Sequence, residues 1–403
     1  MADRSTRAGA GRGFTAADRL LLTCLTRPFG GTTALPSATE PASAVDWDRA
    51  AGLALRDGLA ALVHAGLGDR AQAIPEAARA RLRAAHAAAV LTSQARIAPA
   101  LRQVLEALQG AGLTPIVLKG AALAHTAYPR PSYRTMSDID LLLPPGQLER
   151  AREVLAGARF REEARPAQAT HHLTPFRSDR ALIPIELHYD LLPAENPYAL
   201  AADQFIRRAR TARLGSIDGL VLDPADALHH ACVHLAYAHR YRWYLLRGLV
   251  DILAITWRYG ASLNWDDFLS AAVAARTGGA VYWPLRLARG WLGAEVPAPV
   301  LARLAPPAPL RRLLEPISEP GFLLDPEHRS GSSTAVLRTV LRDLSLHTGC
   351  PIGVQLRAAL GGLFPPRSAV GHLPPAVAAS RLRYGLYLLS PRRCRRGIAA
   401  LLQ

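Results

Sequence analysis

The chain has 403 residues, of which 50% are hydrophobic and 20% are charged, so it is too long for one small domain and can build buried cores. This balance excludes a wholly disordered protein, and the composition also excludes collagen-like and coiled-coil classes. The formal net charge of +16 favours anionic partners such as a nucleoside triphosphate, nucleic acid or an anionic membrane surface. The alternative is that much of the arginine forms solvated surface.

The cysteines and the N-terminus indicate the compartment. Cys24, Cys232, Cys350 and Cys394 are far apart and form no CxxC pair, so neither a zinc ribbon nor a disulfide framework is predicted. Residues 1–13 are polar, are predicted to be disordered and lack the apolar segment of a signal peptide. No apolar run approaches the length of a membrane span. We therefore expect a cytoplasmic protein without a transmembrane segment.

Residues 14–110 are predicted to form a helical domain. Alanine and leucine are dense there, and apolar residues recur at helical spacing over 50–66 and 77–108. Asp46 is a candidate N-cap, although the capping box is incomplete because Arg49 occupies its fourth position.

The pattern changes to alternating strands and helices in a predicted α/β core at 111–215. Short apolar, β-branched runs predict strands, and Ala-rich or amphipathic runs between them predict helices. The predicted strands are 114–118, 137–143, 171–176 and 182–188, and the predicted helices are 121–128 and 147–158. The pattern favours an α+β fold with a small mixed sheet flanked by N-terminal and C-terminal helical domains.

Two further regions follow this core. Residues 216–300 are predicted to form a second helical domain, with helices beginning near Asp223 and Asn264. Residues 301–403 are predicted to form a Pro- and Arg-rich helical C-terminal region, whose last 37 residues hold seven arginines and no acid.

Asp138 and Asp140 are the central candidates for chemistry. In a strand, alternate residues share a face, so both carboxylates point the same way and repel each other unless a cation lies between them. Mg²⁺ prefers oxygen ligands of this kind together with substrate phosphates. A later strand carries Glu186 and His188, which also share a face. An isolated DxD pattern could also be surface charge on an edge strand.

A candidate phosphate site precedes the two aspartates. Gly120 lies between a predicted strand and a predicted helix, where its backbone allows close approach of a phosphate and the helix N-terminus offers free N–H groups. Lys119, the one lysine of the chain, can add a compact positive charge. Three carboxylates beside such a site suit two-metal phosphoryl chemistry.

Residues 115–190 resemble the uncharacterised bacterial nucleotidyltransferases of the polymerase-beta superfamily. The resemblance lies in PIVLKGAALAHTAYPRPSYRTMSDIDLLL and IELHYDLL, and it extends to the stretches 228–234, 247–251 and 264–265. The superfamily pattern of a Gly-containing turn, DxD and a third acid maps onto Gly120, Asp138 with Asp140, and Glu186.

The resemblance implies a role for each of these positions. Asp138, Asp140 and Glu186 would be catalytic and would bind Mg²⁺ or Mn²⁺. The nucleoside triphosphate, with ATP favoured, would contact a set of five candidate nucleotide-binding residues: Lys119, Gly120, Ala121, Arg134 and Ser137. Arg134 could instead pair with an acid. His188 and His172 are further active-site candidates, whereas His230 and His234 favour helix packing because the Glu of an HExxH zinc motif is absent.

Three functions remain open at this point. The first is transfer of a nucleoside monophosphate to an acceptor hydroxyl on a small metabolite or peptide, and the group's occurrence beside peptide natural-product genes suggests natural-product tailoring. The second is phosphoryl transfer at the same metal site. The third is a degenerate, non-catalytic protein that binds RNA or an anionic membrane through its Arg-rich C-terminus. The RNA version has less support because aromatic residues are only 6% of the chain.

Overall fold

The computed structural model describes most of the chain up to residue 324. The described residues are 13–31, 45–68, 74–163, 171–178, 183–193, 196–239, 241, 244–315, 320–324, 350–351 and 353–355. The N-terminal segment predicted to be disordered therefore lies outside them except for Gly13. The Arg-rich end from Arg367 also lies outside the described residues.

Helices make up the first part of the described chain. They are α1 (Ala16–Thr26), α2 (Trp47–Arg56), α3 (Ala60–Leu67), α4 (Glu76–Thr92) and α5 (Ala98–Gly110). The predicted helix start at Asp46 is confirmed, because its carboxylate accepts a hydrogen bond from the Arg49 N–H. The Arg49 side chain pairs with Asp18 at 3.1 Å, so the residue that interrupts the capping box ties α2 to α1.

Seven strands in the described residues form one mixed sheet, which confirms the α+β class. They are β1 (Ile116–Val117), β2 (Ile139–Leu142), β3 (Phe160–Glu162), β4 (Phe176–Ser178), β5 (Ile185–His188), β6 (Arg210–Leu214) and β7 (Ile217–Val221). Their spatial order is β3-β4-β5-β2-β1-β7-β6. The pairs β1–β7 and β2–β5 are parallel, and the other neighbours are antiparallel.

The strand predicted at 171–176 is wrong in position. Only His172 makes a bridge there, to His188, and the regular strand begins at Phe176. Pro175 precedes that strand and has no N–H to donate, which explains why regular pairing starts only after it.

The β6–β7 hairpin was not predicted from the sequence. Its strands are joined by Gly215 and Ser216, and Gly215 has a φ of +68°, a left-handed conformation that suits a tight hairpin turn. Because β7 pairs with β1, the sheet continues to Val221, past the predicted core boundary at residue 215.

The remaining helices lie between the strands and after them. They are α6 (Lys119–Thr126), α7 (Leu148–Gly157), α8 (Ala202–Arg208), α9 (Pro224–Val233), α10 (Leu245–Tyr259), α11 (Trp265–Ala274), α12 (Gly278–Leu292), α13 (Ala298–Leu304), α14 (Ala308–Leu314) and α15 (Pro320–Leu323). The predicted starts at Asp223 and Asn264 are confirmed, since both side chains accept hydrogen bonds from the first turns of α9 and α11.

The hydrophobic cores divide the helices differently from the chain order. Buried residues of α1 to α3 share one core with α9, α10 and α12. Helix α5 instead packs with α7 against the sheet through Leu101, Leu105 and Leu108. The helices on either side of the sheet segment in the chain therefore pack on each other. This common core holds α9 and α10 over the sheet beside the site described next.

No helix in the described ranges is long and apolar enough to cross a bilayer.

Candidate active site

The predicted carboxylates meet at the centre of the sheet. Strands β2 and β5 run parallel in a register that places Asp140 directly opposite Glu186. His188 lies two residues beyond Glu186 on the same face of β5. The DxD strand and the later acidic strand are therefore neighbours, and their polar side chains project from one side of the sheet.

Asp140 is the most heavily contacted of the three acids. Its Oδ1 accepts hydrogen bonds from Lys119 Nζ and from His188 Nε2, each at 2.8 Å. Burial alone would raise the pKa of this carboxyl, but the Lys119 ammonium and the His188 ring outweigh it and hold the pKa well below its ordinary value. Asp140 is therefore ionised at neutral pH although it is only 4% exposed.

Lys119 adopts an unusual backbone conformation to reach this acid. Its φ of +47° lies in the left-handed region, which costs a non-glycine residue roughly 1–2 kcal/mol. Burial would lower the pKa of its ammonium, but Asp140, Glu186 and Asp138 together raise it. The one lysine of the chain is thus a fixed cation among three carboxylates, held in a strained position of the kind common at functional sites.

Asp138 differs from Asp140 in that no described residue makes a neutralising contact with it. Its partly buried carboxylate makes no hydrogen bond or ion pair with the residues that the structure describes. Burial raises its pKa, and repulsion from Asp140 and Glu186 adds to the rise. Negative charge at this point is therefore only partly compensated, which favours a cation.

Glu186 lies between two imidazoles. Its Oε2 is 3.5 Å from His188 Nε2 and 3.9 Å from His172 Nε2. Burial would raise the pKa of this carboxyl, but the hydrogen bond to His188 and the charge of His172 lower it. His172 Nδ1 lies 2.8 Å from the carbonyl oxygen of Leu173, which fixes the ring orientation.

The donor set fits a divalent cation. Asp140, Glu186 and His188 each offer one ligand atom, and these atoms lie within 4.8 Å of one another. The group includes two of the three predicted metal ligands and adds His188, while Asp138 lies beside it at the pocket surface. The two carboxylates of this group suit Mg²⁺ or Mn²⁺.

The predicted phosphate turn lies at the N-terminus of α6. The first helical hydrogen bond is from Ala122 N–H to Leu118 O, so the amides of Lys119, Gly120 and Ala121 precede it and have no partner within the helix. A Cβ on Gly120 would lie 3.2 Å from both Arg134 Nη1 and Met136 Cβ, so a side chain there would crowd both neighbours.

Two further predicted nucleotide contacts differ in position. The Ala121 side chain is 2% exposed and packs in the sheet core, so only its backbone amide can serve a phosphate. Ser137 is exposed and lines the pocket next to Asp138.

Arg134 pairs with an acid in the structure. Its Nε and Nη2 donate to the two oxygens of Asp251 at 2.7 and 2.9 Å, and the Tyr128 hydroxyl donates to Asp251 Oδ1 at 2.6 Å. Its remaining nitrogen donates to the backbone of Thr135 at 2.5 Å. Of the two roles that the sequence left open for Arg134, the observed contacts are those of an ion pair with an acid. Its Nη1 is the nitrogen that lies closest to Gly120.

A pocket connects this pair to the carboxylates. It encloses about 190 Å³ and runs from the ends of β1 and β2 to the helices α9 and α10. The sheet side is lined by the predicted residues Lys119, Gly120, Ser137, Asp138 and Asp140, and the helical side by His230, His234, His239, Tyr244, Arg247 and Asp251. This helical wall was not predicted from the sequence. A signal was present, because His230 with His234 and Arg247 with Asp251 have the four-residue spacing that puts two side chains on one helix face.

The buried histidines of this wall are held neutral. Burial lowers the pKa of His230 to about 3, and the positive charge of Lys119 adds to this effect. In an unfolded chain the same imidazole titrates near 6.5. Below pH 6.5 the unfolded state therefore binds a proton that the folded state does not, so the free energy of unfolding falls as the pH decreases toward 3 and is fully present above 6.5.

Replacing His230 with Asn is expected to flatten that dependence. The variant lacks the proton that the unfolded wild type binds at His230. The slope of its unfolding free energy against pH is therefore lower by up to about 1.4 kcal/mol per pH unit below pH 6.5. Urea unfolding of both proteins at pH 5, 6 and 8 measures it, and the two slopes should converge at pH 8. Equal slopes at pH 5 to 6 would contradict the neutral, buried state of His230.

Comparison with known proteins agrees with this geometry. Residues 43–293, more than half of the chain, match a family model described as "Uncharacterised nucleotidyltransferase". No curated protein and no solved structure matches the chain. The matched range contains the sheet residues of the pocket and its helical wall.

Proposed function

The chain belongs to the uncharacterised nucleotidyltransferase family, and from this premise we propose that it moves a nucleoside monophosphate from a nucleoside triphosphate to an acceptor hydroxyl with Mg²⁺ or Mn²⁺. One observation supports this most: Asp140, Glu186 and His188 lie close enough to share a cation, and Asp140 lines a pocket together with Asp138 and Lys119. Such a donor set serves phosphate-transfer chemistry better than a purely structural role, because it concentrates charge that folding alone does not need.

The position of each residue indicates its role in this reaction. Asp138 and Asp140 face the pocket and would hold the cation that accompanies the triphosphate, and Glu186 would complete a second position next to His188. A bound divalent cation would neutralise phosphate charge and lower the pKa of the attacking hydroxyl. The amides at the start of α6 would hold the phosphates, with Lys119 supplying positive charge at the same end.

The reaction forms one bond to phosphorus and breaks another. The acceptor oxygen attacks the α-phosphorus, the bond from that phosphorus to the bridging oxygen breaks, and diphosphate leaves with the electron pair. The acceptor proton passes to a nearby base, for which the carboxylate of Glu186, ionised at neutral pH, is the candidate.

The size of the pocket limits what it encloses. Its volume of about 190 Å³ is below the roughly 300–1,000 Å³ of sites that enclose a whole drug-sized ligand. The pocket would thus hold the triphosphate, with the base and the acceptor nearer its mouth. We keep ATP as the favoured nucleotide and a small metabolite or peptide, including a natural-product intermediate, as the acceptor class.

Mass spectrometry can test the proposal and identify the acceptor in the same experiment. The purified protein, Mg²⁺, mixed nucleoside triphosphates and an extract of its source cells are incubated beside the same mixture with Asp138→Asn. We expect diphosphate release and a nucleotide-sized mass gain on one acceptor, absent with the variant. A phosphate-sized gain would indicate phosphoryl transfer instead, and turnover by both proteins would remove Asp138 from the site.

A further inference from the structure

Arg247 is a cation in the pocket wall to which no acid among the described residues is paired. It is partly buried on the first turn of α10, and it makes no hydrogen bond or ion pair with residues in the described ranges. Asp251, the acid whose charge acts on Arg247, already accepts from Arg134 through both oxygens and from Tyr128 through one. A guanidinium has five N–H donors, so a pocket-facing arginine that makes no hydrogen bond to the described residues has these donors available for a ligand.

The position of Arg247 is fixed by its neighbours. The Tyr244 ring lies 3.6 Å from its guanidinium carbon, a stacked cation–π contact. The start of α10 is anchored because Leu246 N–H donates to the buried carboxylate of Asp57 at 2.9 Å. A Cβ on Gly248 would lie 2.7 Å from Leu235, so α10 also packs closely on its neighbour here. The guanidinium is thus preorganised at low entropic cost for a ligand.

The electrostatic surroundings favour an anion at this point. Arg134 and Arg247 both line this pocket, and the pKa of Arg247 is lowered by burial and further by the positive charge of Arg134. His239 also lines the pocket, and burial lowers its pKa to about 4, so the ring is neutral at pH 7 and adds no positive charge. Phosphate oxygens match the planar fork of arginine and would relieve the repulsion.

A series of pocket residues leads from the carboxylates to Arg247. Asp138 and Arg134 line the same pocket, and the charge of Asp138 contributes to the raised pKa of the Arg134 guanidinium. Gly120 lies against Arg134 Nη1, and Arg247 Nη1 and the next residue after Arg134, Thr135, both lie beside Gly58. A triphosphate whose α-phosphate lies at Asp138 and whose β-phosphate crosses Gly120 would carry its last phosphate toward Arg247.

We propose that Arg247 binds the terminal phosphate of the nucleoside triphosphate and so makes the site select triphosphates over diphosphates. This inference rests on the proposed nucleotidyl transfer, and it assigns a specific ligand group to a residue of the helical wall. A triphosphate differs from a diphosphate only in its γ-phosphate. Loss of Arg247 should therefore weaken binding of the triphosphate and leave binding of the diphosphate unchanged.

The test compares nucleotide binding by three proteins. Isothermal titration with Mg²⁺ measures each of the four ribonucleoside triphosphates and its diphosphate on the wild type, Arg247→Gln and Arg258→Gln. Arg258 is an exposed arginine on the same helix and serves as the matched control. We expect Arg247→Gln to weaken the bound triphosphate at least about tenfold, the diphosphate less than about threefold, and Arg258→Gln neither.

Other outcomes would overturn the assignment in distinguishable ways. If the variant binds triphosphate and diphosphate equally weakly, or binds both as the wild type does while the wild type transfers, Arg247 does not bind the terminal phosphate. The proposed function stands in both cases. Unchanged nucleotide binding with a raised KM for the acceptor would assign Arg247 to an anionic acceptor group instead. If the wild type binds no triphosphate, the proposed function fails together with this inference.

Discussion

Replacement of Asp138 by Asn is expected to reduce nucleotidyl transfer by about a thousandfold or more while leaving the fold intact. Asp138 lines the pocket without a hydrogen bond or ion pair to the described residues, so its charge has no evident structural role. A carboxylate that holds the triphosphate cation contributes several kcal/mol to the transition state, and about 4 kcal/mol corresponds to a thousandfold in rate. Diphosphate release under saturating Mg²⁺ measures the effect.

Asp138 is a cleaner test than its neighbour. Asp140→Asn would also leave the buried Lys119 ammonium without its carboxylate partner, so a lost activity there could follow from instability. The matched control is Asp218→Asn, which changes an exposed aspartate on β7 of the same sheet. Full activity of Asp138→Asn with an unchanged unfolding transition would contradict its place in the site.

The second large effect concerns stability. Asp251→Ala is expected to lower the free energy of unfolding by about 3–5 kcal/mol, because it leaves the buried Arg134 guanidinium unpaired. The Tyr128 hydroxyl would lose its acceptor at the same time. Urea denaturation followed by circular dichroism measures the change.

An exposed ion pair provides the control for this effect. The Asp266 carboxylate is 86% exposed and pairs with Arg303, so Asp266→Ala is expected to change the free energy of unfolding by less than about 0.5 kcal/mol. A loss of similar size in both variants would show that burial of the Arg134–Asp251 pair is not what matters. A small loss in both would contradict the buried pair itself.

Local sequence signals predicted much of the framework. N-caps at Asp46, Asp223 and Asn264 depend on one side chain and the next turn, so the sequence identifies them directly. The DxD strand was recognisable because its apolar residues alternate with two acids that would otherwise be exposed without reason. Lys119 stood out because it is the one lysine of the chain.

Long-range packing was beyond these signals. Nothing local indicates that α5 packs on the sheet while α1 to α3 join the core of the later helices, because Ala- and Leu-rich faces are interchangeable partners. The β6–β7 hairpin was missed since its strands carry arginines at exposed positions and its turn is only Gly215 with Ser216.

The composition of the site shows the same limit. Asp140 and Glu186 could be placed on neighbouring strands from the sequence, but the register that pairs them and brings His188 onto Asp140 depends on the folded sheet. Arg247 has no motif of its own, and only the pocket shows that its carboxylate neighbour is already occupied by Arg134.

The position of the transferred phosphorus tests the central claim most directly. The protein is incubated with Mg²⁺ and the acceptor-containing extract, and with ATP labelled with ³²P at the α- or at the γ-position in parallel reactions. Our account predicts that the α-label moves to the acceptor and that the γ-label leaves in diphosphate. With Asp138→Asn, neither label should move. Transfer of the γ-label to the acceptor, or transfer of the α-label by the variant at the wild-type rate, would contradict it.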